Sequence, residues 1–117
     1  RVGGHGVAAC VVGGRVLMRR RGDSGLWAGL WAPPSLEGTK KPPSASEVGD
    51  LVGGIARRSG GFTHETTHRS VRFEVFLVEG GEVSEGDRWC SGDDIAGLGI
   101  SNAHLRIVKR ALESADS

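Results

Sequence analysis

His64-Glu65-Thr66-Thr67-His68-Arg69-Ser70-Val71-Arg72-Phe73-Glu74-Val75-Phe76-Leu77-Val78 opens on five residues that support two incompatible readings. As letters, His64 to His68 match H-E-x-x-H, in which two histidines bind zinc and the glutamate is the base. That chemistry needs a helix, where residues four apart stack on one face. On a strand the same spacing separates the two histidines by roughly 13 Å, at about 3.3 Å per residue, and no single ion bridges them. The neighbourhood favours the strand. Period-two alternation runs from Val71 to Val78, two threonines stiffen the motif, and Gly60-Gly61 precedes it. No apolar stripe at helical spacing crosses 60–70. A third zinc ligand could come only from His5 or His104, neither at a familiar spacing. Two surface or hydrogen-bonding histidines are the plain alternative to both functions.

Composition sets the bounds. A chain of 117 residues is expected to form a single domain, 1–117, with enough core to fold without metal or disulfide. There is no apolar run of eighteen residues, so no membrane-spanning helix is expected. The first residue is Arg1, without a signal-peptide pattern. This leads us to expect a piece of a longer protein, with 1–5 as linker remnant and 114–117 as tail. Cys10 and Cys90 form no C-x-x-C pair and are expected to be buried reduced thiols. The net charge of +1 gives no overall basic bias. Locally, five acids and one base lie between Gly80 and Gly99, which leaves nine acids and fourteen bases elsewhere. The basic clusters include Arg19-Arg20-Arg21, Lys40-Lys41, Arg57-Arg58 and Arg69 with Arg72; each is either a solvated face or a phosphate contact.

The order of elements follows from turn residues and periodicity. Val7 to Val12 and Val16-Leu17-Met18, joined by Gly13-Gly14, predict a β-hairpin. Leu26 to Trp31 is an apolar segment ended by Pro33-Pro34, and 35–44 reads as an exposed connector. Ser44 with Glu47 fits a capping box, and Val48, Leu51, Val52 and Ile55 follow at helical spacing. Gly49, Gly53 and Gly54 weaken that helix by about 1 kcal/mol each, or else allow close packing on a sheet. Gly60-Gly61 is expected to end it. Strands are predicted from Phe62 to His68, from Val71 to Val78, and at Arg88-Trp89-Cys90. Ser101 or Asn102 caps a last helix with Leu105, Val108, Ala111 and Leu112 on its apolar side. The expected class is α+β, a mixed or antiparallel sheet flanked by two helices.

Elements in this order resemble the Nudix fold. Leu17-Met18-Arg19-Arg20-Arg21, then Gly25-Leu26-Trp27-Ala28-Gly29-Leu30-Trp31-Ala32-Pro33, is similar to the start of the C-terminal domain of MutY-type adenine DNA glycosylases. In that family a strand ending in arginines leads into G-L-W-x-G-L-W-x-x-P. Arg88-Trp89-Cys90, an acidic stretch and a closing basic helix extend the resemblance over nearly the whole chain. A Nudix hydrolase needs G-x5-E-x7-R-E-x-x-E-E-x-G, whose carboxylates hold divalent metal over a diphosphate. Anchored on Gly38, the chain has Ser44, Val52, Gly53, Ala56 and Arg57 where Glu, Arg, Glu, Glu and Glu belong. Without those oxygen ligands it is not expected to hold magnesium or activate water there. No catalytic residue, metal or cofactor is therefore expected in this chain.

The resemblance also gives the opening motif a meaning. MutY-type domains carry H-x-F-S-H before a strand, and its hydroxyl residue meets 8-oxoguanine opposite the mispaired adenine. Counting back from Val71 places His64 at the first histidine, Thr67 at the serine and His68 at the last histidine. Thr66 replaces the phenylalanine, so a stacking ring is missing. A competing register uses Phe62-Thr63-His64 and lengthens the spacing to the strand by four residues. The lesion- and DNA-binding residues implied are Thr67, His68, Thr66, His64 and Arg69; Arg19 to Arg21 are either further phosphate contacts or solvated surface arginines. The partners implied are double-stranded DNA with an 8-oxoguanine·adenine mispair and an N-terminal catalytic domain holding a 4Fe-4S cluster. A cytoplasmic, nucleoid setting would follow in a bacterium. Two rival classes stay open: an inactive Nudix-scaffold protein-interaction module, and a zinc-dependent hydrolase using His64, Glu65 and His68.

Overall fold

The computed structural model describes residues 2–22, 27–38, 43–65 and 70–115. In chain order the elements are β1 (Val2–Ala9), β2 (Val11–Val12), β3 (Arg15–Arg20), β4 (Trp31–Ala32), β5 (Ser35–Gly38) and α1 (Ala45–Val52). Then come β6 (Gly54–Glu65), β7 (Ser70–Gly80), β8 (Arg88–Cys90), α2 (Gly92–Ala96) and α3 (Asn102–Ala115). One sheet has the order β5-β1-β7-β6. Within it β1 and β7 run parallel, from Val2 opposite Ser70 to Ala9 opposite Leu77, and the outer pairs are antiparallel. A second sheet places β3 against β2, β4 and β8. The class is α+β with a mixed sheet, as the sequence implied.

Alternation along β7 explains why this sheet is covered on both faces. Phe76 and Val78 point to one side, where they join Ala8, Cys10, Leu17, Val48 and Val52 beneath α1. Val71 and Phe73 point to the other, where they meet Val7, Ala103 and Ile107 beneath α3. Burying Phe73 completely contributes roughly 1.5–3 kcal/mol through the apolar surface it removes from water. Helix α3 turns its remaining side, through Val108, to Val16, Met18, Cys90 and Ile95 of the second layer. It is thus wedged between two clusters. Each tryptophan packs on a different one: Trp89 beneath α1, Trp27 beneath α3, Trp31 in the second layer. Both cysteines are buried and unpaired, as expected.

The hairpin at Gly13-Gly14 forms as the sequence predicts, with φ of 59° and 75° at its two glycines and Val12 opposite Arg15. The run Val7 to Val12 is nevertheless divided between the two sheets at Cys10. Several boundaries differ from expectation for physical reasons. Residues 2–5 are strand, not linker: Gly4 and His5 pair with Gly38 and Glu37, and with Arg72 and Phe73. Residues 35–38 are strand, not connector, because β1 offers a free edge there. The capping box at Ser44 and Glu47 is present, with Ser44 Oγ accepting the Glu47 N–H at 3.3 Å. The helix stops at Gly53, whose φ of 68° is left-handed and whose N–H reaches Gly49 O. Ile55, in helical phase by sequence, is therefore on β6 and 77% exposed. Gly60-Gly61 does not end a helix; the pair follows a bulge in β6, where the register shifts between Arg58 and Gly60. A third helix, α2, joins the two that the sequence predicts; Ser91 and Asp94 cap it reciprocally.

Gly49 shows why α1 tolerates glycine. A Cβ there would lie 2.8 Å from the backbone oxygen of Gly54 and 3.4 Å from Ala56 N, where helix meets strand. Gly49→Ala should therefore destabilise the domain by about 1–3 kcal/mol, although alanine favours a free helix by about 1 kcal/mol. Urea denaturation of the two proteins measures the sign.

Candidate nucleic-acid interface

The first two residues of the opening motif, His64 and Glu65, end strand β6. His64 pairs with Val71 and Glu65 with Ser70 across an antiparallel ladder, so both residues are extended. Ser70 Oγ donates to Glu65 Oε1 at 3.3 Å. At His64 and Glu65 the backbone is extended and not the helix that zinc binding by H-E-x-x-H needs. Thr66, Thr67, His68 and Arg69 lie outside the described residues. Among the described residues, no group of three or more His, Cys, Asp or Glu is placed to hold a metal ion.

His64 belongs to a cluster of rings centred on Trp27 and Phe73. Trp27 lies 6.1 Å from His64, 6.1 Å from His5, 4.9 Å from His104 and 5.8 Å from Phe73, centroid to centroid. Phe62 stacks on Phe73 at 5.2 Å, and Arg106 lies over Phe62 at 4.4 Å. Three histidines from three parts of the chain thus share one indole. Trp27 is held there in a strained backbone: its φ of 59° is left-handed, which costs a bulky residue about 1–3 kcal/mol. The loop is closed around it by Gly29 N to Gly22 O at 2.9 Å and Arg21 N to Leu30 O at 2.8 Å. The glycine and tryptophan spacing of the signature run therefore has a mechanical role. Gly29 takes φ of 75° so that the segment can fold back, and Trp27 is turned onto the sheet.

His5 and His104 had no place in any motif, and only the fold brings them together. His104 is fully buried at the first turn of α3. Ser101 Oγ accepts the His104 N–H at 3.1 Å and lies 2.8 Å from Nδ1. The same serine thus caps the helix and orients the ring. Serine three residues before histidine, at a helix start, was the available signal. Nε2 of His104 and Nδ1 of His5 are buried without a hydrogen-bond partner among the described residues. Burial pushes His104 down to about 3, with Arg21, His5 and His64 adding in the same direction. His5 is also lowered by burial, opposed by Glu37 at 3.5 Å. Both are neutral in the folded protein near pH 7.

The arginine triplet is largely committed elsewhere. Arg19 Nε and Nη2 donate to the two carboxylate oxygens of Asp87, each at 2.9 Å, and Nη2 also reaches Ser84 Oγ at 3.2 Å. Hydrogen bonding to Arg19 holds the Asp87 carboxyl below the usual carboxylate range. Arg19 is therefore a strut between β3 and the acidic segment, not a free phosphate contact. Arg20 donates to Gly29 O at 3.2 Å and Arg21 to Glu37 at 3.2 Å. These two line a shallow cleft of about 310 Å³ with Pro33, Pro34 and Ser35. The hydrolase positions are equally plain. Ser44 is the N-cap of α1, Val52 is core, Gly53 is its C-cap, and Ala56 and Arg57 are on β6. That set offers no carboxylate to a divalent ion.

A NUDIX domain model matches residues 6–110 of the 117, and the chain belongs to that family. Solved structures agree on the fold. The C-terminal domain of mouse MUTYH, in its complex with human PCNA, superposes with a TM-score of 0.71 at 22% identity, over 99% of this chain and 90% of that one. A MutT NUDIX hydrolase from Burkholderia pseudomallei gives 0.68 at 21% identity, covering 97% of each chain. The E. coli ORF135 protein gives 0.68 at 17%, over 98% of this chain and 93% of that one.

The depressed His104 value makes stability depend on pH in one direction. The unfolded chain takes up a proton near 6.5 that the folded chain refuses until about 3. The stability associated with the neutral ring is complete above pH 6.5 and is lost as pH falls through that window. Glu74 and Asp87 add a loss at the acidic end. For Glu74, burial raises the value, but hydrogen bonds from Arg58 and Arg72 outweigh it. His104→Gln should flatten the decline between pH 6.5 and about 3, compared with wild type by urea unfolding at several pH values.

Proposed function

We propose that this domain is the lesion-reading part of an adenine DNA glycosylase, meeting 8-oxoguanine opposite a mispaired adenine in double-stranded DNA. Adenine excision belongs to an N-terminal catalytic domain of the same protein, which carries a 4Fe-4S cluster. The observation that carries this reading is the strained Trp27 loop. It sets Trp27 as a platform against His64, and the residues that follow Glu65 in sequence are Thr66, Thr67, His68 and Arg69. The missing hydrolase carboxylates are consistent with reading a base and not cleaving a diphosphate.

The chemistry asks for a hydroxyl. Guanine presents N7 as an acceptor in the major groove. The oxidised base carries a proton on N7 and a carbonyl oxygen at C8, so a reader must accept at N7. A threonine hydroxyl accepts through a lone pair and still has a proton to give, whereas ammonium and guanidinium groups only donate. Thr67 is the proposed reader, His64 and His68 flank it, and Arg69 is a phosphate contact. Thr63 is the weaker candidate. It pairs with Arg72 on the face of the sheet opposite to His64 and Trp27.

Thr67→Val in the full-length enzyme should reduce the preference for 8-oxoguanine·adenine over guanine·adenine by roughly 1–3 kcal/mol. Adenine removal from the undamaged mispair should be spared. Single-turnover rates on the two duplexes measure this, and an unchanged ratio removes Thr67 from the role. Equal gel-shift affinity of the full-length protein for the two duplexes would turn the reading toward a protein-interaction module.

A further inference from the structure

Along the C-terminal half of α3, a groove opens between the helix and β6. Val75 and Leu77 form its floor, and Ile107 and Ala111 line it from the helix, around a hollow of about 80 Å³. Leu77 and Ala111 also line an adjoining hollow of about 400 Å³, beside the exposed Ile55. Among the described residues, neither hollow includes Trp27, His5, His64 or His104.

Three independent features make this more than an uncovered apolar face. First, Gly60 pairs with Val75 and borders the groove, yet a Cβ there would meet nothing within 4 Å. The space above the strand is left open by the lack of one side chain. Second, Arg57 lines the larger hollow and Arg110 the smaller. Among the described residues, neither guanidinium enters an ion pair or hydrogen bond. Arg58, by contrast, is held by Glu74 at 2.7 Å. Third, among the described residues β6 is the edge of its sheet and pairs with β7 alone. From 57 to 63 its outward backbone groups have no strand partner, which makes them a template for another chain.

We infer that this groove and the β6 edge dock an extended, acidic and apolar peptide segment of a partner protein, added as a fifth strand to the four-stranded sheet. Main-chain hydrogen bonds to β6 supply the register. Alternate side chains of the segment pass over Gly60 to Val75 and Leu77, and carboxylates reach Arg57 and Arg110. The opposite charge follows from the two arginines without a partner, against Glu79, the one carboxylate that lines the larger hollow among the described residues. A nucleic-acid strand fits less well because it needs aromatic faces for its bases. The one aromatic ring at the groove, Phe62, is already covered by Arg106.

The test uses a fluorescein-labelled decapeptide alternating leucine or valine with aspartate or glutamate, read by anisotropy. Its controls are the same peptide with lysine at the acidic places, and decathymidylate. Wild type should bind the acidic peptide at least about tenfold more tightly than either control. Gly60→Leu fills the open space, and Arg57→Glu with Arg110→Glu reverses the rim. Each should weaken acidic-peptide binding by at least about tenfold while the thermal midpoint is kept. Amides of β6 between 57 and 63 should exchange more slowly with peptide bound. Absent binding, equal binding of the lysine peptide, or undiminished binding by Gly60→Leu overturns the proposal. Tighter binding of decathymidylate overturns it in favour of a nucleic-acid track. Should Gly60→Leu fail to fold, the arginine variant, which alters only surface charge, decides.

Discussion

Phe73 is the side chain on which the arrangement of the domain turns. It is completely buried on β7, stacks on Phe62 of the neighbouring strand, and receives Trp27 from the connecting loop. It also meets the edges of His5 and His104, from the first strand and the last helix. One ring thus fixes the distance between the sheet, α3 and the loop after β3. Aromatic pairs in offset and edge-on arrangements add about 0.5–1.5 kcal/mol beyond the area they bury. A smaller residue at 73 would loosen several elements together. The strained φ of Trp27 is sustained because this contact and the loop's own hydrogen bonds overdetermine it.

Charge plays a more local part. The forked Arg19–Asp87 contact ties the second sheet to the segment before β8, where Ser84 N–H also donates to Asp87. Bidentate geometry makes this a stronger contact than an ordinary surface pair. The Arg58–Glu74–Arg72 group on the first sheet is more open to solvent, and pairs of that kind contribute little. The near-zero net charge therefore hides an uneven distribution. Asp87, after β7, holds the basic strand β3 in place through Arg19, and among the described residues Arg57 and Arg110 are left unpaired near β6 and α3.

Much of the fold could be read from local chemistry. The Gly13-Gly14 turn, the capping box at Ser44, the alternation of β7 and the Ser101 cap each signal themselves within a few residues. The misreadings share a cause, since they depended on partners distant in sequence. Residues 35–38 look like a connector until β1 supplies the edge they pair with. Ile55 keeps helical phase, but Gly53 can turn left-handed and Val52 is claimed by Glu82 N–H. Gly60-Gly61 suits a helix stop and a strand bulge equally well, and only the ladder with β7 distinguishes them. Of the candidate site, His64 was legible as an extended residue. His5 and His104 were invisible because nothing nearby in sequence announces that three histidines converge on one tryptophan. The strut role of Arg19 is not legible in the sequence because its carboxylate partner is sixty-eight residues away.

The placement of Trp89, Trp27 and Trp31 in three separate apolar clusters has a practical consequence. The domain carries a built-in optical reporter for each layer of its interior. The indole at 27 is surrounded by imidazoles, the one at 31 lies near a guanidinium, and the one at 89 packs beside aliphatic and thiol groups. Their emission is tuned by three different surroundings, so loosening of one layer leaves a spectral trace that the other two do not share.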